Sequence, residues 1–273
     1  MGPYPTRRMD AQFRTEEFER HRGGRLGAPV RAIAETVSTN TDALAWALEG
    51  ASEGAVVVAD TQTAGRGRWG RSWIDNPGES LLFSMVLRPV FDPSLLTTAL
   101  GVAVCTAIES TTGAVTRIKW PNDVTIGGYK IAGILVDARS GENHADALAA
   151  GVGVNISWRE VPAELSGRAS SLLLTTGRAP DREVLLAAIL TSFEPRYDAL
   201  AAGDRGVLVD AAARSETVGN RVRVVRPGGD IVTGDALRLA ETGALVVETD
   251  DGEIVTFDAG EVELIRRDVD PAD

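Results

Sequence analysis

Residues 61–73 read Thr61-Gln-Thr-Ala-Gly-Arg-Gly-Arg-Trp-Gly-Arg-Ser-Trp73, with three arginines, three glycines, two tryptophans and no acidic residue. Gly65, Gly67 and Gly70 satisfy the G-x-G-x-x-G spacing of a dinucleotide-binding turn, but that motif must open a helix. Asp75-Asn-Pro-Gly78 follows instead, and this is turn chemistry. A Rossmann-type reading therefore fails on context. Glycine lets the backbone approach a ligand closely, and guanidinium forks match carboxylate or phosphate oxygens. The segment is either an anion-binding loop or a solvated surface loop.

Its flanks mix element types. Ser38 to Gly50 reads as a capped helix, and Ala55 to Asp60 and Ser80 to Arg88 read as strands. Asp92-Pro93 opens a long apolar helix reaching about Thr112. Val115 to Trp120 reads as a strand, and Val124 to Ile126 with Tyr129 to Asp137 as a hairpin around Gly127-Gly128. Ala147 to Ile156 is a further strand, and Asp181 to Ala202 is helical, with Pro195 expected to kink or interrupt it. Hairpin-paired strands covered by helices on one face predict an α+β domain. Beyond residue 213 the charge shifts: residues 214–273 carry net −7 of the whole chain's −11. Four short runs there, at 221–225, 236–239, 244–248 and 253–257, are separated by Gly and Asp turns, which predicts a small β-barrel.

The 273 residues hold 28 basic and 39 acidic side chains, which argues against a nucleic-acid binder held by bulk charge. Hydrophobic residues make up 44% and charged residues 25%, ordinary for a globular chain. Cys105 stands alone, and with only His21 and His144 beside it no structural zinc site is expected; a reducing cytoplasm is the simplest compartment. The first twenty residues lack the apolar core of a signal peptide, and no run reaches the roughly 20 apolar residues of a bilayer span, so no membrane partner is expected. Met1-Gly2 with Thr6 fits a myristoylation pattern and is taken as chance. The phosphate loop, the H-E-x-x-H zinc helix and the G-x-S-x-G elbow are all absent from the sequence. Cys105, inside an apolar helix, reads as packing.

Three further clusters carry polar chemistry. In Lys119-Trp-Pro-Asn-Asp123 the proline ends a strand and presents Asn122 and Asp123 at a fixed edge. By a period of two, Lys130 shares a face with Ala132, Ile134 and Val136, so it either snorkels at the strand end or is aimed at an anion. Ser38-Thr-Asn40 opens a helix. Thr39 with Asp42 is close to a capping box, yet the same groups could bind a polar ring. Gly151-Val-Gly-Val-Asn155 permits close backbone approach, for a ligand or for packing.

In this order, Ser38-Thr-Asn40, Gln62 to Gly70, Lys119 to Asp123, Lys130-Ile-Ala-Gly-Ile-Leu135 and Gly151 to Asn155 closely resemble the biotin protein ligases, over about residues 30 to 265. The resemblance implies the class II synthetase-like biotin/lipoate ligase fold, a mixed β-sheet covered by helices, with a small C-terminal SH3-like β-barrel. It implies boundaries at 1–29 for an N-terminal extension, 30–214 for the catalytic domain, 215–267 for the barrel and 268–273 for a tail. The implied reaction joins biotin and ATP to biotinyl-5′-AMP, with Mg²⁺ held largely by ATP phosphates, and passes the biotinyl group to a lysine of a biotin carboxyl carrier domain of acyl-CoA carboxylases. By matched position, Ser38, Thr39, Asn40, Gln62, Arg66, Gly67, Arg68 and Lys130 are implied for biotin. Lys119, Asn122, Asn155 and Trp69 are implied for the nucleotide, and Lys130, Arg66, Arg68 and Asp123 for catalysis. About 29 residues ahead of the domain are too few for a winged helix-turn-helix, so a ligase without DNA binding is expected. Self-pairing into a homodimer stays open. So do two other readings: a lipoate-type acyl ligase, and a non-catalytic biotin or nucleotide sensor.

Overall fold

The computed structural model describes residues 12–141 and 144–265. The pattern at Met1-Gly2 and Thr6 and the tail 268–273 lie outside the described residues. Seven strands form one mixed sheet: β1 (Val30–Thr36), β2 (Val56–Gln62), β3 (Ser80–Leu87), β4 (Arg117–Lys119), β5 (Asp123–Ile126), β6 (Tyr129–Gly141) and β7 (His144–Asn155). Their order is β1-β2-β3-β7-β6-β5-β4. Only β1 and β2 run parallel, because α2 (Thr39–Leu48) crosses between them; the other neighbours are antiparallel.

All eight residues of β3 are buried. Leu81, Phe83, Met85 and Leu87 face the core shared with α3 (Leu96–Thr112) and α5 (Arg182–Ala201), while Val86 joins a second core with Ala43, Trp46 and Ala47 of α2. Helices thus cover both faces, and α2 corrects the expectation of one covered face: the sheet is apolar on both sides and would otherwise expose Val57 and Val86. The start of the long apolar helix follows the sequence signal. Asp92 accepts from Ser94 N (3.0 Å) next to Pro93, and Gly113 ends α3 in the left-handed region at φ 75°. Residues 93–112 are long and apolar enough to span a membrane, but two thirds of that stretch is buried inside the domain. Helix α5 runs unbroken through Pro195, because Leu190, Phe193, Tyr197 and Leu200 anchor both halves to the core.

Residues 12–29, expected as an extension, belong to the same core. Phe13, Phe18 of α1 (Thr15–His21) and Leu26 are buried in it. Glu183 locks them down, accepting from Arg14 N (2.7 Å) and from the Arg14 guanidinium (3.0 and 3.2 Å). After α4 (Leu172–Thr176), α5 and α6 (Val207–Ala213), an antiparallel sheet follows. It consists of β8 (Arg221–Val225), β9 (Ile231–Leu239), β10 (Leu245–Thr249), β11 (Ile254–Phe257) and β12 (Glu261–Leu264), in the order β11-β10-β9-β8-β12. It surrounds its own core of Val222, Val224, Ala236, Leu245, Val247 and Phe257. The end strands β11 and β12 are not paired to each other, so the barrel-like sheet is open there. Trp120, in the turn after β4, completes this second core, with its Nε1 donating to Gly243 O (3.0 Å).

Candidate active site

A cavity of about 700 Å³ opens over β6 and β7, beneath the arginine-rich segment and against β12. Its lining carries six cations (Arg66, Arg68, Arg71, Lys119, Lys130, Arg168) and four carboxylates (Asp123, Glu164, Glu261, Glu263), an excess of positive charge inside a strongly acidic chain.

The segment 65–73 is a small hairpin. Gly67 N donates to Arg71 O (2.7 Å), Trp73 N to Gly65 O (2.8 Å), and Trp69 at the tip takes a left-handed φ of 57°. The hairpin ends by laying the Trp73 indole on the sheet. Gly133 and Gly153, register partners on β6 and β7, make room for it: a Cβ at Gly153 would stand 2.5 Å from the ring. Trp73 was not anticipated as a site residue. The available signal was the pairing of two glycines on adjacent strands.

Lys130 departs from its expected surroundings. A β-bulge between Val124 and Thr125 puts Thr125 opposite Lys130 and Val124 opposite Ala132. This breaks the period of two. Ala132 and Ile134 go to the core, whereas Lys130 stands on the cavity side with Gly133, where an added Cβ would lie 3.1 Å from the Lys130 Nζ. The ammonium is 2.7 Å from Asp123 Oδ1 and 5.4 Å from the Trp73 ring centre. It does not snorkel.

At the other end, Ser38, Thr39 and Asn40 are buried in the cavity wall. The capping-box reading fails: Ser38 makes no side-chain cap bond, and Asp42 instead accepts from Thr36 Oγ1 (2.5 Å). Gln62 supplies the cap from β2, its Oε1 accepting from Thr39 N (2.8 Å) and Oγ1 (3.2 Å). Ser84 Oγ lies 2.7 Å from Thr39 Oγ1 and 2.6 Å from Asn40 Oδ1, and Asn40 Nδ2 donates to Leu135 O (3.2 Å) and Asp137 (2.9 Å). Arg66 Nη2 reaches the same Asp137 carboxylate at 3.2 Å, joining the loop to this polar end. Ser84 and Asp137 are legible only from the pairing of strands.

Arg68 Nη1 donates to Gly260 O (3.3 Å), and Arg71 pairs with Glu261. Burial pushes the Arg68 guanidinium below its ordinary pKa, against the opposing pull of Asp123 and Glu261. The C-terminal sheet therefore walls the cavity through β12, a strand the sequence pattern did not announce. Gly67, Trp69, Lys119, Asn122 and Asp123 also line the cavity. Asn122 fixes its own turn by donating Nδ2 to Ile134 O (2.8 Å). Asn155 is not brought to the cavity: it is buried behind it, donating to Ser170 O (3.0 Å). Among the described residues no group of three His, Cys, Asp or Glu is placed to hold a metal ion.

Residues 33–155 match the Biotin/lipoate A/B protein ligase family, and residues 217–265 match the Biotin protein ligase C terminal domain. A biotin–[acetyl-CoA-carboxylase] ligase of Mycobacterium tuberculosis is 36% identical over 242 residues, covering 86% of this chain and 88% of that protein. The bifunctional ligase/repressor BirA of Bacillus subtilis is 35% identical over 221 residues, covering 79% of this chain and 68% of that protein. Among solved structures, the biotin protein ligase of Aquifex aeolicus in complex with biotin and ATP superposes with a TM-score of 0.76 at 29% identity, over 88% of this chain and all of that one.

Proposed function

The chain belongs to the biotin protein ligase family, and on that premise we propose how its cavity works. The protein activates biotin with ATP to biotinyl-5′-AMP and transfers the biotinyl group to a lysine of a biotin carboxyl carrier domain of a carboxylase. The observation that carries the site assignment is one cavity with a hydrogen-bonding end at Ser38 to Asn40 and a cationic middle at Arg66, Arg68 and Lys130.

The biotin carboxylate and the ATP triphosphate repel each other, and fixed cations must offset this where the carboxylate oxygen attacks the α-phosphorus and pyrophosphate leaves. In our reading Ser38, Thr39, Asn40 and Gln62 orient biotin, and Gly67 lets the hairpin approach it closely. Arg66, Arg68 and Lys130 neutralise the developing charge on the carboxyl and phosphate oxygens, and Asp123 orients the Lys130 ammonium. Trp73 walls the biotin site against the sheet. Lys119, Asn122 and Trp69 serve the nucleotide end, and Asn155 supports it from behind by holding residue 170. Mg²⁺ would enter as the ATP complex, held largely by the phosphate oxygens, and would there supply further neutralisation of the phosphates beside Arg66, Arg68 and Lys130. The mixed anhydride hydrolyses readily, so the 65–73 hairpin, tied down through Gly260 and Glu261, shields it from water until the carrier amine arrives.

We place the domain boundary after α6 and count residues 12–29 with the catalytic part, since their apolar side chains are buried there. The match at 217–265 supports biotin over lipoate as the acid. Biotin-dependent exchange of labelled pyrophosphate into ATP, followed by addition of a carrier domain, tests the reading. Exchange driven by lipoate instead, or exchange without transfer, would overturn it.

A further inference from the structure

Of the 28 basic residues in the chain, only Lys119 and Lys130 are lysines; every other one is arginine. Both lysines line the cavity. Arginine holds even exposed ion pairs in which lysine would serve as well, such as Arg223 with Glu263 and Arg31 with Glu49. Outside the cavity lining the described surface thus presents guanidinium groups and no ε-amine; within it both lysines are partly exposed, Lys130 by 33% of its side chain.

This distribution has a chemical consequence for a protein that makes an acyl-adenylate, and the inference rests on the ligase reading above. A biotinyl-adenylate acylates amines: the nitrogen attacks the acyl carbon, the bond from that carbon to the phosphate oxygen breaks, AMP leaves with the bonding pair, and the amine proton passes to water. A lysine with pKa about 10.4 is unprotonated in about one molecule per thousand near pH 7.4, which suffices for slow acylation. A guanidinium is at least about a hundredfold less often neutral, and its lone pair is delocalised. We propose that the confinement of both ε-amines to the cavity makes the chain's side chains poor acceptors of its own adenylate, so that the carrier lysine meets no competing lysine on the enzyme surface outside the cavity. Inside the cavity, the Lys130 ammonium is paired with Asp123 at 2.7 Å, and Lys119 lies on β4, assigned above to the nucleotide end and away from the acyl carbon.

The test supplies synthetic biotinyl-5′-AMP to the full chain, to Arg223→Lys and to Arg205→Lys, with a carrier domain as the positive acceptor, and locates biotin by peptide mass spectrometry. The α-amino terminus is common to all three chains and is quantified separately. The expected result is a labelled carrier, no biotinyl-lysine in the parent chain, and label at position 223 or 205 of each variant at least about tenfold above any lysine label in the parent. Label on Lys119 or Lys130 of the parent equal to that at the introduced lysines would overturn the proposal, as would variants that stay unlabelled while the carrier is labelled. Pyrophosphate exchange on the same preparations keeps the two readings apart: its failure removes the ligase assignment, whereas labelling by added adenylate does not depend on it.

Discussion

Replacing Gly151 by alanine tests the polar end of the cavity most directly. A Cβ built at Gly151 stands 2.2 Å from Asn40 Oδ1 and 2.9 Å from its Cγ, where ordinary contact begins near 3.4 Å. Asn40 cannot swing aside freely. Its Nδ2 is bound to Leu135 O and Asp137, and its Oδ1 to Ser84. The substitution must therefore displace the amide and leave a buried polar group unsatisfied, at a cost of about 1–3 kcal/mol. Biotin is assigned to this same amide, so roughly 2 kcal/mol of lost binding corresponds to about a 30-fold rise in KM for biotin. KM from biotin-dependent pyrophosphate exchange reads the effect, with KM for ATP as the internal reference. Gly101→Ala is the matched control, because its Cβ would meet nothing closer than 3.6 Å. A folded Gly151→Ala protein with KM for biotin within about threefold of the parent, or with KM for ATP raised equally, would refute the placement of biotin at Asn40.

Arg68→Gly removes the tether to Gly260 O together with a cation, and free biotinyl-5′-AMP in a filtrate should rise about tenfold; unchanged release contradicts the shielding role of the hairpin. Lys130→Gln should lower pyrophosphate exchange at least about 100-fold while the circular dichroism stays that of the parent, and near-normal exchange would remove Lys130 from catalysis. Glu183 is buried, which by itself raises its pKa, but the bonds from Arg14 outweigh burial and hold it below its ordinary value of 4.5. The stability it contributes is complete above that value and is lost as pH falls through the lowered pKa. The melting temperatures of the parent and Glu183→Gln should therefore differ near neutrality and converge in acid, and a difference that persists in acid would contradict the pairing. Burial pushes the Cys105 thiol up to about 11, so the native protein should resist alkylation at pH 8 and react once unfolded; rapid native alkylation would show that the α3 core opens.

Motif order made the cavity's lining legible because the residues assigned to the ligands come in short runs that do line it: Ser38 to Asn40, the hairpin arginines, Lys119 to Asp123. Strand and helix positions followed from turn signals and apolar runs, with Asp92-Pro93 and Gly127-Gly128 as clear examples. What failed were inferences about facing. A period of two assigned Lys130 to the face of Ala132 and Ile134, and a single bulge moved it to the cavity. Local spacing made Asp42 a capping partner, whereas the cap came from Gln62 on another strand. Asn155 ends a glycine run that does reach the cavity through Gly151 and Gly153, yet its own side chain turns behind it toward residue 170.

The sequence by itself determined the family and the reaction, and it marked the cations proposed here to neutralise two anionic substrates, because those depend on residue types in a fixed order. Only the tertiary structure decided that Trp73 lies on two paired glycines, that Ser84 and Asp137 brace Asn40, and that Gly260 and Glu261, at the start of β12 in the C-terminal sheet, hold Arg68 and Arg71. Each of these joins segments far apart in the chain. Such contacts are set by strand register and by the packing of two sheets around Trp120, and no local pattern of residues encodes either one.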